Sequence, residues 1–122
     1  MFRGCIYLYI SSFILGICIL MIKDLNDNNF KNSLNDNEFV LVDFYAKWCG
    51  PCKAISKYLE NISDKLSGNT TIYKVDVEEV ENIYEEYNVQ NLPCVILFKN
   101  GVEINRVIGN NQSKLNEVVN SL

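Results

Sequence analysis

The stretch "VDFYAKWCGPCK", residues 42–53, places two thiols, Cys49 and Cys52, around a Gly-Pro pair and directly behind an apolar run. Three chemistries use two cysteines set so close together: a metal site, a structural staple and redox exchange. A structural zinc site takes four Cys or His ligands. The chain has no histidine, and outside its apolar N-terminal run it offers only Cys49, Cys52 and Cys94, one ligand short. A staple across so short a loop restricts the unfolded chain little and so stabilises little. Redox exchange needs what the context supplies. "FVLVDFYA" (39–46), β-branched and aromatic, reads as a buried strand, and a helix begins at the cysteines. Cys49 then stands at a helix N-terminus, where unpaired backbone N–H groups and the helix dipole favour thiolate over thiol. Pro51 suits a first helical turn, where its missing N–H costs nothing.

The rest of the composition narrows the function further. A chain of 122 residues, 48% of them apolar, makes one domain with a short extension. Its net charge of −4 gives it nothing to gain from a phosphate backbone, so nucleic acid is not expected as a partner. The absence of histidine excludes Cys-His and Ser-His catalysis and His-ligated metals. The short acidic pairs Glu78-Glu79 and Glu85-Glu86 read as solvated helix faces.

Beyond the cysteines, Ile55, Leu59, Ile62 and Leu66 recur at helical spacing, and Ser67-Gly68-Asn69 ends that helix. "TIYKVDV" (71–77) alternates as a strand, and Val80, Ile83, Tyr84 and Tyr87 mark a short helix. "CVILF" (94–98) is a continuous apolar run, expected to be a central strand covered on both faces. Asn100-Gly101 signals a hairpin to "VEINRVI". Leu115, Val118, Val119 and Leu122 make a closing helix, and Phe30 with Leu34 suggests a short first one. The expected class is α/β, a mixed sheet with helices on both faces.

Residues 5–22 carry no charge, with Arg3 before them and Lys23-Asp24 after. A run of this length lies between a signal-peptide core and a membrane span, and the charge asymmetry would send the following chain across the membrane. Two segments are therefore expected: residues 1–20 as a signal peptide or membrane anchor, with possible membrane association through residues 5–20, and residues 21–122 as the folded domain. Secretory or membrane localisation follows if residues 1–20 are translated. A start at Met21 would give a cytoplasmic chain instead. In a eukaryotic secretory route the sequons at Asn61, Asn69 and Asn111 would meet glycosylation machinery.

"WCGPC" resembles the thioredoxin active site, and "LVDFYAKWCGPCK", "YKVDV", "NLPCVILFKNG" and "VIG" follow in that family's order and spacing. The resemblance implies a thioredoxin fold, a central mixed five-stranded β-sheet flanked by four α-helices. It implies a thiol-disulfide oxidoreductase that reduces protein disulfides, with no bound cofactor. Its partners would be disulfide-containing proteins and a thioredoxin reductase or other dithiol electron donor. Cys49 matches the attacking nucleophile and Cys52 the resolving thiol. Asp43 matches a buried carboxylate that assists proton transfer at the resolving cysteine, and Lys74 the lysine beside it. Pro93 matches a cis-proline packed against the cysteine pair. The backbone of Leu92 would pair with a substrate strand, and Trp48, Gly50, Pro51, Ile108 and Gly109 would complete a shallow groove. Gly-Pro between the cysteines resembles the reducing members of the family, whereas histidine at the second position would resemble isomerases and oxidases.

Three positions depart from the pattern. Lys57 stands where many relatives carry a helix-kinking proline, which puts the kink in question. Tyr45 replaces a tryptophan or phenylalanine. Cys94 follows Pro93 where threonine is common, and reads as a small buried strand residue or as a third thiol able to take part in exchange. A second reading is a thioredoxin-like subunit of a larger assembly, in which the fold matters more than the thiols.

Overall fold

The computed structural model describes residues 22–122. Residues 1–21, and with them the signal-peptide or anchor expectation, lie outside the described residues. Among the described residues no helix is long and apolar enough to cross a membrane.

Strand β1 (Lys23–Asp24) is followed by helix α1 (Phe30–Ser33), β2 (Phe39–Tyr45), α2 (Gly50–Ile62), a single 3₁₀ turn (Ser63–Lys65), β3 (Thr70–Asp76), α3 (Ile83–Glu86), β4 (Cys94–Lys99), β5 (Val102–Ile108) and α4 (Gln112–Asn120). The five strands form one sheet in the order β1-β3-β2-β4-β5. β1 and β2 run parallel to β3, while β4 is antiparallel to both β2 and β5. The C-terminal ends of β2, β3 and β5 therefore meet the N-terminal end of β4 along one edge of the sheet.

Strand alternation divides the core in two. Val40, Val42 and Phe44 of β2 and Cys94, Ile96 and Phe98 of β4 face a layer containing Phe30, Ile83 and Val89. Leu41, Val95 and Leu97 face the opposite layer, with Ile55 and Leu59 of α2 and Leu115 and Val118 of α4. β2 and β4 are thus covered on both faces, which is why each reads as a near-continuous apolar run. The Asn100-Gly101 turn has φ of 50° and 85°, the left-handed backbone that a two-residue hairpin requires and that Asn and Gly tolerate.

Local chemistry sets the helix ends. Asn111 caps α4 by accepting the Lys114 N–H at 3.0 Å. α2 ends at Ile62, earlier than the periodicity of Leu66 suggests, because the chain tightens into the 3₁₀ turn and Leu66 is already extended. With Lys57 in place of proline, α2 runs as one continuous helix from Gly50 to Ile62. The short helix expected around Val80–Tyr87 is confined to a single turn, Ile83–Glu86.

Phe30 is 1% exposed and packs against Phe44, Tyr87 and Phe98 with ring centroids 5.3–6.2 Å apart. It ties α1, a helix too short to hold itself, to the sheet. Phe30→Ala is expected to cost about 3–5 kcal/mol in urea denaturation. A loss below about 1 kcal/mol would mean that this cluster does not anchor α1.

Candidate active site

The apolar strand β2 ends at Tyr45, and a tight connection delivers Cys49 to the start of α2. The Cys49 N–H donates to the Ala46 carbonyl at 3.1 Å. Cys49 is the N-cap residue of α2, with extended backbone, and its Sγ accepts the Cys52 N–H at 3.2 Å. Pro51 lies in the first turn. The sequence placed the pair there, and the structure bonds the two sulfurs as a disulfide, with Cα atoms 5.3 Å apart. Their accessibility differs in a way that matters for chemistry: Cys49 retains 6% exposure and Cys52 only 1%. The pair packs with Ala46, and Tyr45, Val77 and Leu92 close around it.

Pro93 and Gly109 lie at the same edge of the sheet. The Leu92–Pro93 peptide bond is cis. The Gly109 N–H donates to the Pro93 carbonyl at 2.7 Å, and Ile108 pairs with Cys94. Gly109 has φ of 81°, where a side chain would be strained. Around the cysteines, Trp48 and Ile108 stand 70% and 52% exposed, an unusual apolar surface next to Gly50 and Pro51, which are also exposed.

Beneath α2, Asp43 is 2% exposed. Register pairs it with Lys74 of β3 on one side and Val95 of β4 on the other. Desolvation pushes its carboxyl from the ordinary 3.8 up to about 6, against a hydrogen bond from Ser56 and the Lys74 charge, both of which lower it. The Lys74 ammonium lies 5.5 Å from the centroid of the Tyr45 ring. The Tyr45 hydroxyl donates to Asp24 at 3.0 Å, and burial together with that carboxylate pushes the phenol's pKa upward. Asp24 and Tyr45 are thus joined by a hydrogen bond, Lys74 lies over the Tyr45 ring, and the Lys74 charge acts on Asp43 across the β2–β3 register without an ion pair.

Two residues of the site were not singled out in the sequence. The Ser56 hydroxyl donates to Asp43 Oδ2 at 2.7 Å, and Glu78 Oε2 accepts the Trp48 indole N–H at 2.9 Å. Ser56 carried a usable signal, its spacing of four from Cys52 on one helix face. Glu78 carried none, because it reads as part of a solvated acidic pair. Among the described residues no group of three or more Cys, Asp or Glu is placed to hold a metal ion.

The sequence matches the family model described as Thioredoxin over residues 21–121. It is 43% identical over 96 residues to Thioredoxin-2 of Pyricularia oryzae, an alignment covering 79% of this chain and 56% of that protein. It is 41% identical over 96 residues to Thioredoxin-1 of Schizosaccharomyces pombe, covering 78% and 92%. The chain therefore spans little more than half the length of the first relative and nearly all of the second. Among solved structures, a thioredoxin of Plasmodium falciparum aligns with a TM-score of 0.77 at 34% identity, over 82% of this chain and 98% of that one. The chain belongs to the thioredoxin family.

Cys94 is a free thiol with 1% exposure. Its side chain joins Phe44, Ile96 and Phe98 in the layer opposite α2, so the sheet stands between its sulfur and Asp43. Burial pushes its pKa up to about 11, with Arg106 opposing. A buried neutral thiol is inert. Iodoacetamide is expected to label Cys49 of the reduced native chain and to reach Cys94 only after unfolding. Native-state labelling of Cys94 on the timescale of Cys49 would restore it as a third reactive thiol.

Proposed function

We propose that the chain is a thiol-disulfide oxidoreductase that reduces protein disulfides through Cys49 and Cys52. The observation that carries this reading is the bonded pair at the N-terminus of α2, with Cys49 the less buried residue of the two and a buried carboxyl group beneath the helix.

In the reduced state, the helix N-terminus favours Cys49 as thiolate. The thiolate attacks one sulfur of a target disulfide. A Cys49–target bond forms, the target's S–S bond breaks, and its other sulfur leaves as thiolate to be protonated by solvent. Cys52 then gives its proton to Asp43 and attacks the Cys49 sulfur. The Cys49–Cys52 bond forms, the Cys49–target bond breaks, and the second target thiolate departs and is also protonated by solvent. Two electrons pass from the cysteine pair to the target, which leaves as two thiols. Asp43 returns its proton to solvent. Lys74 keeps the carboxylate from becoming too weak an acid. A thioredoxin reductase or another dithiol donor reduces the pair for the next cycle. Pro93 and the Leu92 backbone would hold an extended target segment across the cysteines, and Trp48, Gly50, Pro51, Ile108 and Gly109 would bury its apolar side chains. Residues 21–122 form the working domain in this reading.

The test is insulin reduction by the full chain with dithiothreitol as electron source. Cys49→Ser is expected to abolish turnover. Cys52→Ser is expected to accumulate mixed disulfides, because attack survives and resolution does not. Equal trapping by both single variants would contradict the assignment of roles, and unimpaired activity in the double variant would contradict the reading itself.

A further inference from the structure

Asp43 is held asymmetrically. Its Oδ2 accepts the Ser56 hydroxyl at 2.7 Å. Its Oδ1 is buried and has no hydrogen-bond partner among the described residues. A buried carboxylate oxygen left bare costs free energy, and such a group calls for an explanation. Ser56 lies four residues beyond Cys52 on α2, which puts the two side chains on one helix face with Cβ atoms roughly 5–6 Å apart. The carboxyl group that Ser56 grips is thus held within about one turn of the resolving thiol.

We infer that Ser56 is a positioning residue for the proton transfer proposed above: it occupies Asp43 Oδ2, fixes the carboxyl plane, and leaves Oδ1 as the one oxygen free to take the proton of Cys52. The inference rests on the reading of Asp43 as proton acceptor. Without Ser56 the carboxyl would turn about its last side-chain bond, and either oxygen could meet the thiol in an unsuitable direction. The hydroxyl also donates to the charged form, so it partly offsets the cost of burying that charge.

The other groups facing Asp43 come from every neighbouring strand and from α2. Lys74 on β3 favours the ionised form, while Asp24 on β1 and Glu60 on α2 disfavour it. Tyr45 on β2 interacts with it more weakly, as does Cys94 on β4 from the far face of the sheet. None of these is hydrogen-bonded to the carboxyl, so Ser56 is its sole hydrogen-bond donor among the described residues.

Two readouts on the full chain test this. The first is the Asp43 carboxyl midpoint in the oxidised chain, followed by ¹³C NMR of aspartate-labelled protein and assigned with Asp43→Asn. The second is the pH profile of resolution, read from the second thionitrobenzoate released when the reduced chain reacts with dithiobis(nitrobenzoate). Ser56→Ala, a change to a better helix former, is expected to raise the midpoint by about one pH unit. It is expected to slow resolution several-fold below that midpoint and little at pH 8. Ser56→Thr, which keeps a hydroxyl, is expected to restore both. A role confined to packing would move neither. If Ser56→Ala leaves midpoint and profile unchanged while Asp43→Asn removes the pH dependence, the inference falls and the proton-acceptor reading stands. If Asp43→Asn keeps the native profile, that reading falls and the inference with it.

Discussion

An ionisable carboxyl sits in the middle of β2, the central strand of the sheet, and the site is organised around the cost of keeping it there. Asp43 is 2% exposed between Val42 and Phe44, both fully buried. A lone charge in such surroundings is expensive unless neighbours compensate it. The compensation here is partial: one hydrogen bond from Ser56, and Lys74 at the paired position on β3. Partial compensation leaves the carboxyl pushed up to about 6, near neutrality, where a group can both accept and release a proton. Full neutralisation by a close ion pair would favour the charged form and make Asp43 a poor acceptor.

The two faces of the sheet separate reactivity from packing. Asp43, Ser56 and the start of α2 occupy one face, while Cys94 joins an aromatic and aliphatic layer on the other. A one-residue slip in β4 would exchange these faces and bring a third thiol toward α2. Continuous pairing from Phe44↔Cys94 to Phe39↔Lys99 fixes the register against that slip. At one end of the sheet the same strands place Leu92 against the cysteine pair and Ile108 beside Cys94. One backbone framework therefore sets both the buried carboxyl of Asp43 and the surface around the cysteine pair.

Much of this was legible in the sequence because the decisive signals are local. The buried run before the cysteines, the Asn100-Gly101 turn and the Cys-Gly-Pro-Cys spacing each specify backbone geometry directly, and the structure follows them. The family resemblance then pointed to Asp43 and to a cis bond at Pro93, which residue patterns alone would not reveal. Contacts between distant segments were not legible. Trp48 meets Glu78 across 30 positions, and Tyr45 meets Asp24 across 21. The end of α2 was also misjudged, since Leu66 continues the apolar periodicity through a turn that is no longer helical. Periodicity records which side of the chain is buried, and a 3₁₀ turn followed by an extended residue can bury the same side.

The central claim, that Asp43 titrates late because the fold withholds solvent from it, is tested most directly by stability against pH. Below pH 3.8 the carboxyl is protonated in folded and unfolded chains alike. As pH rises from there the unfolded chain ionises first, and the folded state loses relative stability until its own carboxyl ionises at about 6. A gap of about two pH units corresponds to about 3 kcal/mol. Urea unfolding of the oxidised chain between pH 3.5 and 8 should therefore show the native protein losing about that much relative to Asp43→Asn, with the loss complete near pH 7. Parallel stability curves for the two proteins across that range would show that Asp43 is not a buried, late-titrating group, and the account of the site built on it would fail.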